Sequence, residues 1–180
     1  SDLPRVFAID GSKVRMKTQN PTQSSVGLMI STLYDVTNQI VIDTVLLPHY
    51  NERAPIYDSH IQHIPPGSIV LMDRGYFSYK LLKAFIEADI NIAIRMKKDN
   101  ILCEAVLDGG TSKVMIYDKP FRVYNCKASI LNARQDENYI FLSNVRNQTI
   151  NSMANLYNGW QIEVHYKTLK NVFEDYEFKT

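Results

Sequence analysis

Two short segments, Val6-Phe7-Ala8-Ile9 and Ile69-Val70-Leu71-Met72, are apolar at every position, and each runs straight into an aspartate, Asp10 and Asp73. A strand that is apolar on both sides must be covered on both sides, as in the centre of an α/β sheet with helices on either face. The aspartates therefore occupy equivalent places at the carboxyl ends of two buried strands. In open α/β sheets ligands collect at that edge.

The rest of the chain is consistent with such a sheet. Asp10-Gly11 reads as the turn that ends the first strand. Val26–Val36 and Ile40–Leu47 are β-branched runs separated by Thr37-Asn38-Gln39, which predicts an antiparallel meander. Glu52–Ile64 carries Ile56, Tyr57, His60, Ile61 and Ile64 at helical spacing and is stopped by Pro65-Pro66-Gly67. Ser78 is placed to cap a helix bearing Leu81, Leu82, Phe85, Ile86 and Ala88, and Ile90–Met96 reads as the next strand. Residues 97–139 have a different texture, with a turn at Gly109-Gly110 and a strand over Phe121–Ile130, and are expected to form a β-rich insertion. Tyr139–Ser143 returns as a strand. Residues 151–176 are expected to form one last helix with Ile162, Tyr166, Leu169, Phe173 and Tyr176 on one side. The expected organisation is a core of residues 1–96 and 140–180 interrupted by the insertion.

Composition narrows the function classes. A chain of 180 residues with 45% hydrophobic and 22% charged residues has the globular balance, so bulk disorder is excluded. No apolar run approaches the ~18 residues of a membrane span, and no leader is visible, so a cytoplasmic protein is expected. The net charge of +1 does not advertise a nucleic-acid partner, which would have to be held by local patches. Cys103 and Cys126 show no metal-finger spacing and read as reduced, buried thiols. His60 and His63 have no third ligand at useful spacing for zinc.

If the two apolar strands are parallel neighbours, Asp10 and Asp73 come together. Close carboxylates repel unless a cation lies between them, and Mg²⁺, a hard ion that takes oxygen ligands, is the natural one. Asp-Gly and Asp-Arg-Gly are also ordinary turn chemistry, and both readings stand at this level. Glu163 on the last helix has Lys167 at i+4 and Lys170 seven residues on, nearly the same side. A Glu163–Lys167 surface pair would by itself say nothing about function.

Three segments taken together go further. They are Phe7-Ala8-Ile9-Asp10-Gly11-Ser12, Ile69-Val70-Leu71-Met72-Asp73-Arg74-Gly75-Tyr76, and Trp160-Gln161-Ile162-Glu163-Val164-His165-Tyr166-Lys167-Thr168-Leu169-Lys170. In this order they resemble the insertion-sequence transposases of the DDE class, most closely the family numbered four, which cuts and pastes DNA. The likeness spans nearly the whole chain, including the insertion and the Tyr139-Ile140-Phe141-Leu142-Ser143-Asn144 strand. It implies an RNase H-like, retroviral-integrase-like mixed sheet flanked by helices, with Asp10, Asp73 and Glu163 as catalytic triad and ligands of two Mg²⁺ ions, Mn²⁺ substituting. It implies double-stranded DNA as partner, at transposon ends and target, a homodimer on that DNA, and a prokaryotic, nucleoid-associated location. It also implies Lys170 as a phosphate contact. The family's Tyr and Arg positions ahead of the Glu hold Leu156 and Gly159 here, with Tyr157 one residue late. Members carry a DNA-binding region before the first Asp, so the chain is expected to be part of a longer protein.

Further cations are candidates for DNA contact. Arg74 follows the second Asp, and Lys13, Arg15 and Lys17 alternate after the first, either as a phosphate track or as a solvated strand face. Arg95, Lys97 and Lys98 lead into the insertion in the same way. Trp160 is expected to pack the last helix on the sheet. Two other functions compete with the transposase. One is a repurposed, non-catalytic remnant that binds DNA or protein, which the Leu156 and Gly159 departures favour. The other is an Asp-nucleophile phosphohydrolase, which would need an acid where Ser12 stands.

Overall fold

A computed structural model of the chain describes residues 3–17, 25–48, 51–127 and 138–160. β1 (Val6–Lys17), β2 (Ser25–Asp35) and β3 (Ile40–Leu47) form the antiparallel meander. β4 (Ile69–Met72) lies parallel to β1, and β5 (Asn91–Met96) parallel to β4. β6 (Gly110–Ile116) and β7 (Lys119–Cys126) pair as a hairpin, and β7 also pairs with β8 (Tyr139–Ser143), which lies antiparallel to β5. The described strands thus make one eight-stranded mixed sheet, ordered β3-β2-β1-β4-β5-β8-β7-β6. The β-rich stretch extends that same sheet.

Among the described residues three α-helices flank it: α1 (Ala54–Asp58), α2 (Tyr79–Glu87) and α3 (Ile150–Asn158). α2 starts where the Ser78 hydroxyl accepts from the Leu81 amide at 3.1 Å, and it buries Leu81, Leu82 and Phe85. α3 starts with a capping box, Thr149 and Ser152 each accepting from the other's backbone amide. On one face of the sheet Phe7, Ile9, Leu33, Met72 and Ile94 pack with Ile56 of α1 and Leu82 and Phe85 of α2. On the other, Ala8, Ile30, Tyr34, Leu71 and Phe141 share a smaller core with Met153 and Ala154 of α3. Both cysteines are free and buried, and burial pushes the Cys126 thiol up to about 11, keeping it protonated.

The structure corrects three expectations. First, β1 does not end at Asp10-Gly11. Its ladder with β2 continues through Asp10↔Thr32 and Gly11↔Ser31 as far as Lys17↔Ser25, so long-range pairing overrides the local turn signal. Second, 52–64 is not one helix. α1 stops at Asp58, and a separate 3₁₀ turn covers His60–His63. Asp43 on β3 draws the chain aside there, accepting from the Ser59 hydroxyl and bonding His60 Nδ1, each at 2.7 Å. Third, one continuous helix over 151–176 is not formed. α3 closes at Asn158 with Gly159 as its cap, and Trp160 turns to meet the Tyr157 ring at 5.4 Å. Gly costs about 1 kcal/mol in a helix interior, so this is the place to break. Residues 161–176, with Ile162, Tyr166, Leu169, Phe173 and Tyr176, lie outside the described residues.

Candidate active site

The β1–β4 ladder ends at Ile9↔Met72, so Asp10 and Asp73 are the next residues on the two neighbouring segments, where that parallel pairing stops. Side chains alternate along a strand. Ala8 and Leu71 belong to the core under α3, and the aspartates two residues on share that face. Each carboxylate bends onto the next amide: Asp10 Oδ1 accepts from Gly11 and Asp73 Oδ1 from Arg74, both at 2.8 Å.

Thr32 faces Asp10 across the β1–β2 ladder, and its hydroxyl is buried without a hydrogen-bond partner among the described residues. An orphaned buried hydroxyl costs about 1–3 kcal/mol. A hydrated cation held by Asp10 would give it a partner. With two hard carboxylate donors beside it, the site fits a divalent ion of the Mg²⁺ type. No third Asp, Glu, His or Cys joins the two aspartates among the described residues.

Arg95 on β5 closes one side of the site. Its Nη1 lies 3.6 Å from Asp73 Oδ1, and its guanidinium is stacked on the Tyr139 ring at 3.9 Å. Tyr139 leans edge-on against Tyr157 of α3, which in turn meets Phe141 and Trp160. The half-buried Tyr157 thus backs the ring that carries Arg95. A groove of about 370 Å³ opens beside this pair, lined by Arg74, Arg95, Lys97, Lys98, Asn138 and Tyr139 among others.

The loop after Asp73 is held from α1. Arg53 donates to the carbonyls of Gly75 (3.1 Å), Tyr76 (3.3 Å) and Phe77 (3.0 Å), three consecutive residues. Glu52 packs so tightly on Gly75 that a Cβ there would lie 2.9 Å from its Oε2. Tyr76 is buried and passes beneath β1, where a Cβ on Gly11 would lie 3.1 Å from the Tyr76 hydroxyl. A side chain at Gly11 would crowd this close approach, which ties the Asp73 loop to the strand carrying Asp10.

The other sequence candidates are placed as follows. Arg74 is exposed and lines the groove. Lys13 is exposed and lies on the opposite face of β1 from Asp10 by alternation, and Arg15 and Lys17 continue that strand. Leu156 packs in the core under α3. Glu163 and Lys170 lie outside the described residues. His60 is engaged at both ring nitrogens, by Asp43 and by the Ser31 hydroxyl at 2.9 Å. Arg53, Thr32 and the Arg95–Tyr139 stack were not legible as site features in the sequence. Only the run of cations into residue 97 hinted at Arg95.

Two aspartates thus follow directly on the last pair of the parallel β1–β4 ladder, on a mixed sheet flanked by helices. The chain belongs to the family described as transposase DDE domain, whose model matches residues 1–175. Among curated proteins, none matches the chain. Among solved structures the chain is distantly similar to endonuclease V from Bacillus subtilis, with 12% identity, a TM-score of 0.42, and coverage of 96% of this chain and 83% of that one. It is also similar to the NurA nuclease from Sulfolobus solfataricus, with 8% identity, a TM-score of 0.42, and coverage of 99% and 87%. A third is endonuclease V from Ciona intestinalis in complex with an inosine-containing 24mer DNA, with 11% identity, a TM-score of 0.39, and coverage of 94% and 87%.

Proposed function

We propose that the chain is the RNase H-like catalytic core of a cut-and-paste DNA transposase of the insertion-sequence-four family, with residues 97–139 inserted into it. The observation that carries this reading is the side-by-side placement of Asp10 and Asp73 where the parallel β1–β4 ladder stops, within a chain of the transposase DDE-domain family. Asp10, Asp73 and Glu163 hold two divalent ions, Mg²⁺ or Mn²⁺. Bound there, such ions activate a water or 3′-hydroxyl and offset charge on the leaving oxygen of an in-line displacement at phosphorus. Arg74, Lys170 and Tyr157 contact the DNA, and two copies act together on paired transposon ends. Arg53, Gly11 and Tyr76 keep the two aspartates in register, and the buried Thr32 hydroxyl, on the residue opposite Asp10, would be available to hydrogen-bond what Asp10 holds.

Calorimetric titration of Mn²⁺ tests this without depending on DNA ends. Binding to wild type is expected to be lost in Asp10→Asn and Asp73→Asn and weakened in Glu163→Gln. Binding indifferent to all three changes, in folded protein, would sink the proposal.

A second reading, a non-catalytic remnant that binds DNA or protein, draws on Leu156 and Gly159 standing in the family's Tyr and Arg positions, and on Arg95 pairing with Asp73. It is favoured if Mn²⁺ binds the folded wild type neither alone nor with added duplex DNA.

A further inference from the structure

A second concentration of positive charge lies away from the aspartates. Two grooves of about 390 and 170 Å³ meet at Pro120, Asn144 and Arg146. The larger is lined by Lys113, Arg122 and Arg146, and the smaller by Lys119 and Arg146, with Asp89 as its carboxylate. Among the described residues none of these four cations forms an ion pair with a carboxylate, and Arg122 donates only to the Thr111 hydroxyl at 3.2 Å.

Lys113 and Arg122 are also direct cross-strand partners on β6 and β7, on the face that carries the aspartates. Like charges placed directly opposite destabilise a sheet. The fold therefore tolerates an unfavourable pair, uncompensated by acid, at one edge of a protein whose net charge is only +1. That arrangement becomes favourable when an anion lies across it. The four cations line two adjoining grooves, with Lys113 and Arg122 on one side of the sheet and Lys119, by alternation along β7, in the groove beside α2, a spread along the sheet edge that suits a polymer carrying phosphates in series. β7 is three strand spacings from β4, about 14 Å across the sheet, so the cleft is separate from the Asp73 edge.

We propose that the cleft formed by Lys113, Lys119, Arg122 and Arg146 is an exosite for the phosphate backbone of duplex nucleic acid, holding a stretch of the polymer that the Asp10/Asp73 edge does not touch. Its being DNA that reaches both places rests on the transposase reading, whereas anion binding by the cleft does not. Recognition there is by backbone charge and is independent of sequence.

The test is the binding of a fluorescent 30-base-pair duplex to the whole chain, by anisotropy in EDTA, over a salt series. Lys113→Gln/Arg122→Gln and Lys119→Gln/Arg146→Gln are compared with Lys80→Gln/Lys83→Gln, which removes the same charge from α2. Each cleft variant is expected to lower the slope of log affinity against log salt by roughly 2, and to weaken binding at least tenfold at ~0.1 M salt, alike for unrelated sequences. The α2 variant is expected to match wild type. Melting temperatures guard against misfolding, and Lys113→Gln/Arg122→Gln is expected to melt no lower than wild type, because a repulsion is removed. Unchanged binding in the cleft variants, or an equal loss in the α2 variant, overturns the exosite. Displacement of the duplex by poly-glutamate as readily as by unlabelled duplex overturns the nucleic-acid assignment. Because binding is read without metal, a failure of the Mn²⁺ titration at Asp10 and Asp73 would remove the catalytic reading and leave this result standing.

Discussion

The face of the sheet under α1 and α2 receives Phe7, Ile9, Leu33, Met72 and Ile94, while the opposite face of the same strands receives Ala8, Asp10, Thr32, Asp73 and Arg95. The first face closes into a continuous apolar core. The second is apolar toward one end and becomes charged at the carboxyl ends of β4 and β5. One face supplies most of the stability, and that frees the other to hold groups that stability alone would not select. A two-residue period is enough to keep the two apart.

The contrast can be broken most strongly at Phe85. Phe85→Ala on α2 is expected to cost about 3–5 kcal/mol in a urea melt. Mn²⁺ affinity measured below the transition should stay within about twofold of wild type. If the affinity collapses as well, the two faces are not independent.

The next largest effect is at His60, the polar clasp inside the apolar face. His60→Ala leaves the Ser31 hydroxyl and an Asp43 oxygen short of a partner, at a cost of roughly 2–3 kcal/mol. Burial holds the His60 pKa below its ordinary 6.5, although the hydrogen bond it donates to the Asp43 carboxylate pulls it back toward that value. The unfolded chain therefore takes up a proton that the native ring refuses. This contribution is full above about pH 6.5 and is lost as the pH falls below that. At Asp43 and Asp35 burial works against ionisation, yet hydrogen bonds from Ser59 and His60, and from Arg5 and Asn38, hold each pKa below its ordinary 3.8. Their contributions are lost only as the pH falls below about 4. Thermal melts from pH 8 to 5 should show a decline in wild type that is absent in His60→Ala. Parallel curves would remove the clasp from the account.

Two substitutions sharpen the comparison from the charged side. Arg53→Lys gives up the planar fork that reaches three carbonyls, and is expected to cost about 1 kcal/mol while weakening Mn²⁺ binding roughly tenfold. Stability loss without a change in affinity would make Arg53 a plain loop clamp. Thr32→Val keeps the shape and removes a hydroxyl that has no hydrogen-bond partner among the described residues. It should leave the melting temperature unchanged or slightly higher and lower Mn²⁺ affinity several-fold. A lower melting temperature with unchanged affinity would break the link between Thr32 and the metal.

The sequence by itself determined the meander, the two all-apolar strands that run into aspartates, and the capped α2, while the parallel placement of β4 beside β1 stood in it only as a condition that the tertiary structure met. The first three depend on local patterns: β-branched runs, an all-apolar strand, a serine three residues before an amide in need of a partner. It misread β1 at Asp10-Gly11, because a turn propensity of a fraction of a kcal/mol was set against an eleven-residue ladder with β2 that no local window contains. It read 52–64 as one helix, because the spacing of Ile56, His60 and Ile64 is helical, whereas the partner that bends the chain, Asp43, comes from another strand. It also ran the last helix through Gly159, where the packing of Trp160 on Tyr157 turns the chain out of the helix. Only the tertiary structure decided that Thr32 faces Asp10, that Arg53 grips the loop after Asp73, that Arg95 lies flat on Tyr139, and that Lys113 stands opposite Arg122. These partners are 9 to 44 residues apart in the chain. Pairing across such distances is set by strand order and register, which side-chain patterns within one element do not encode.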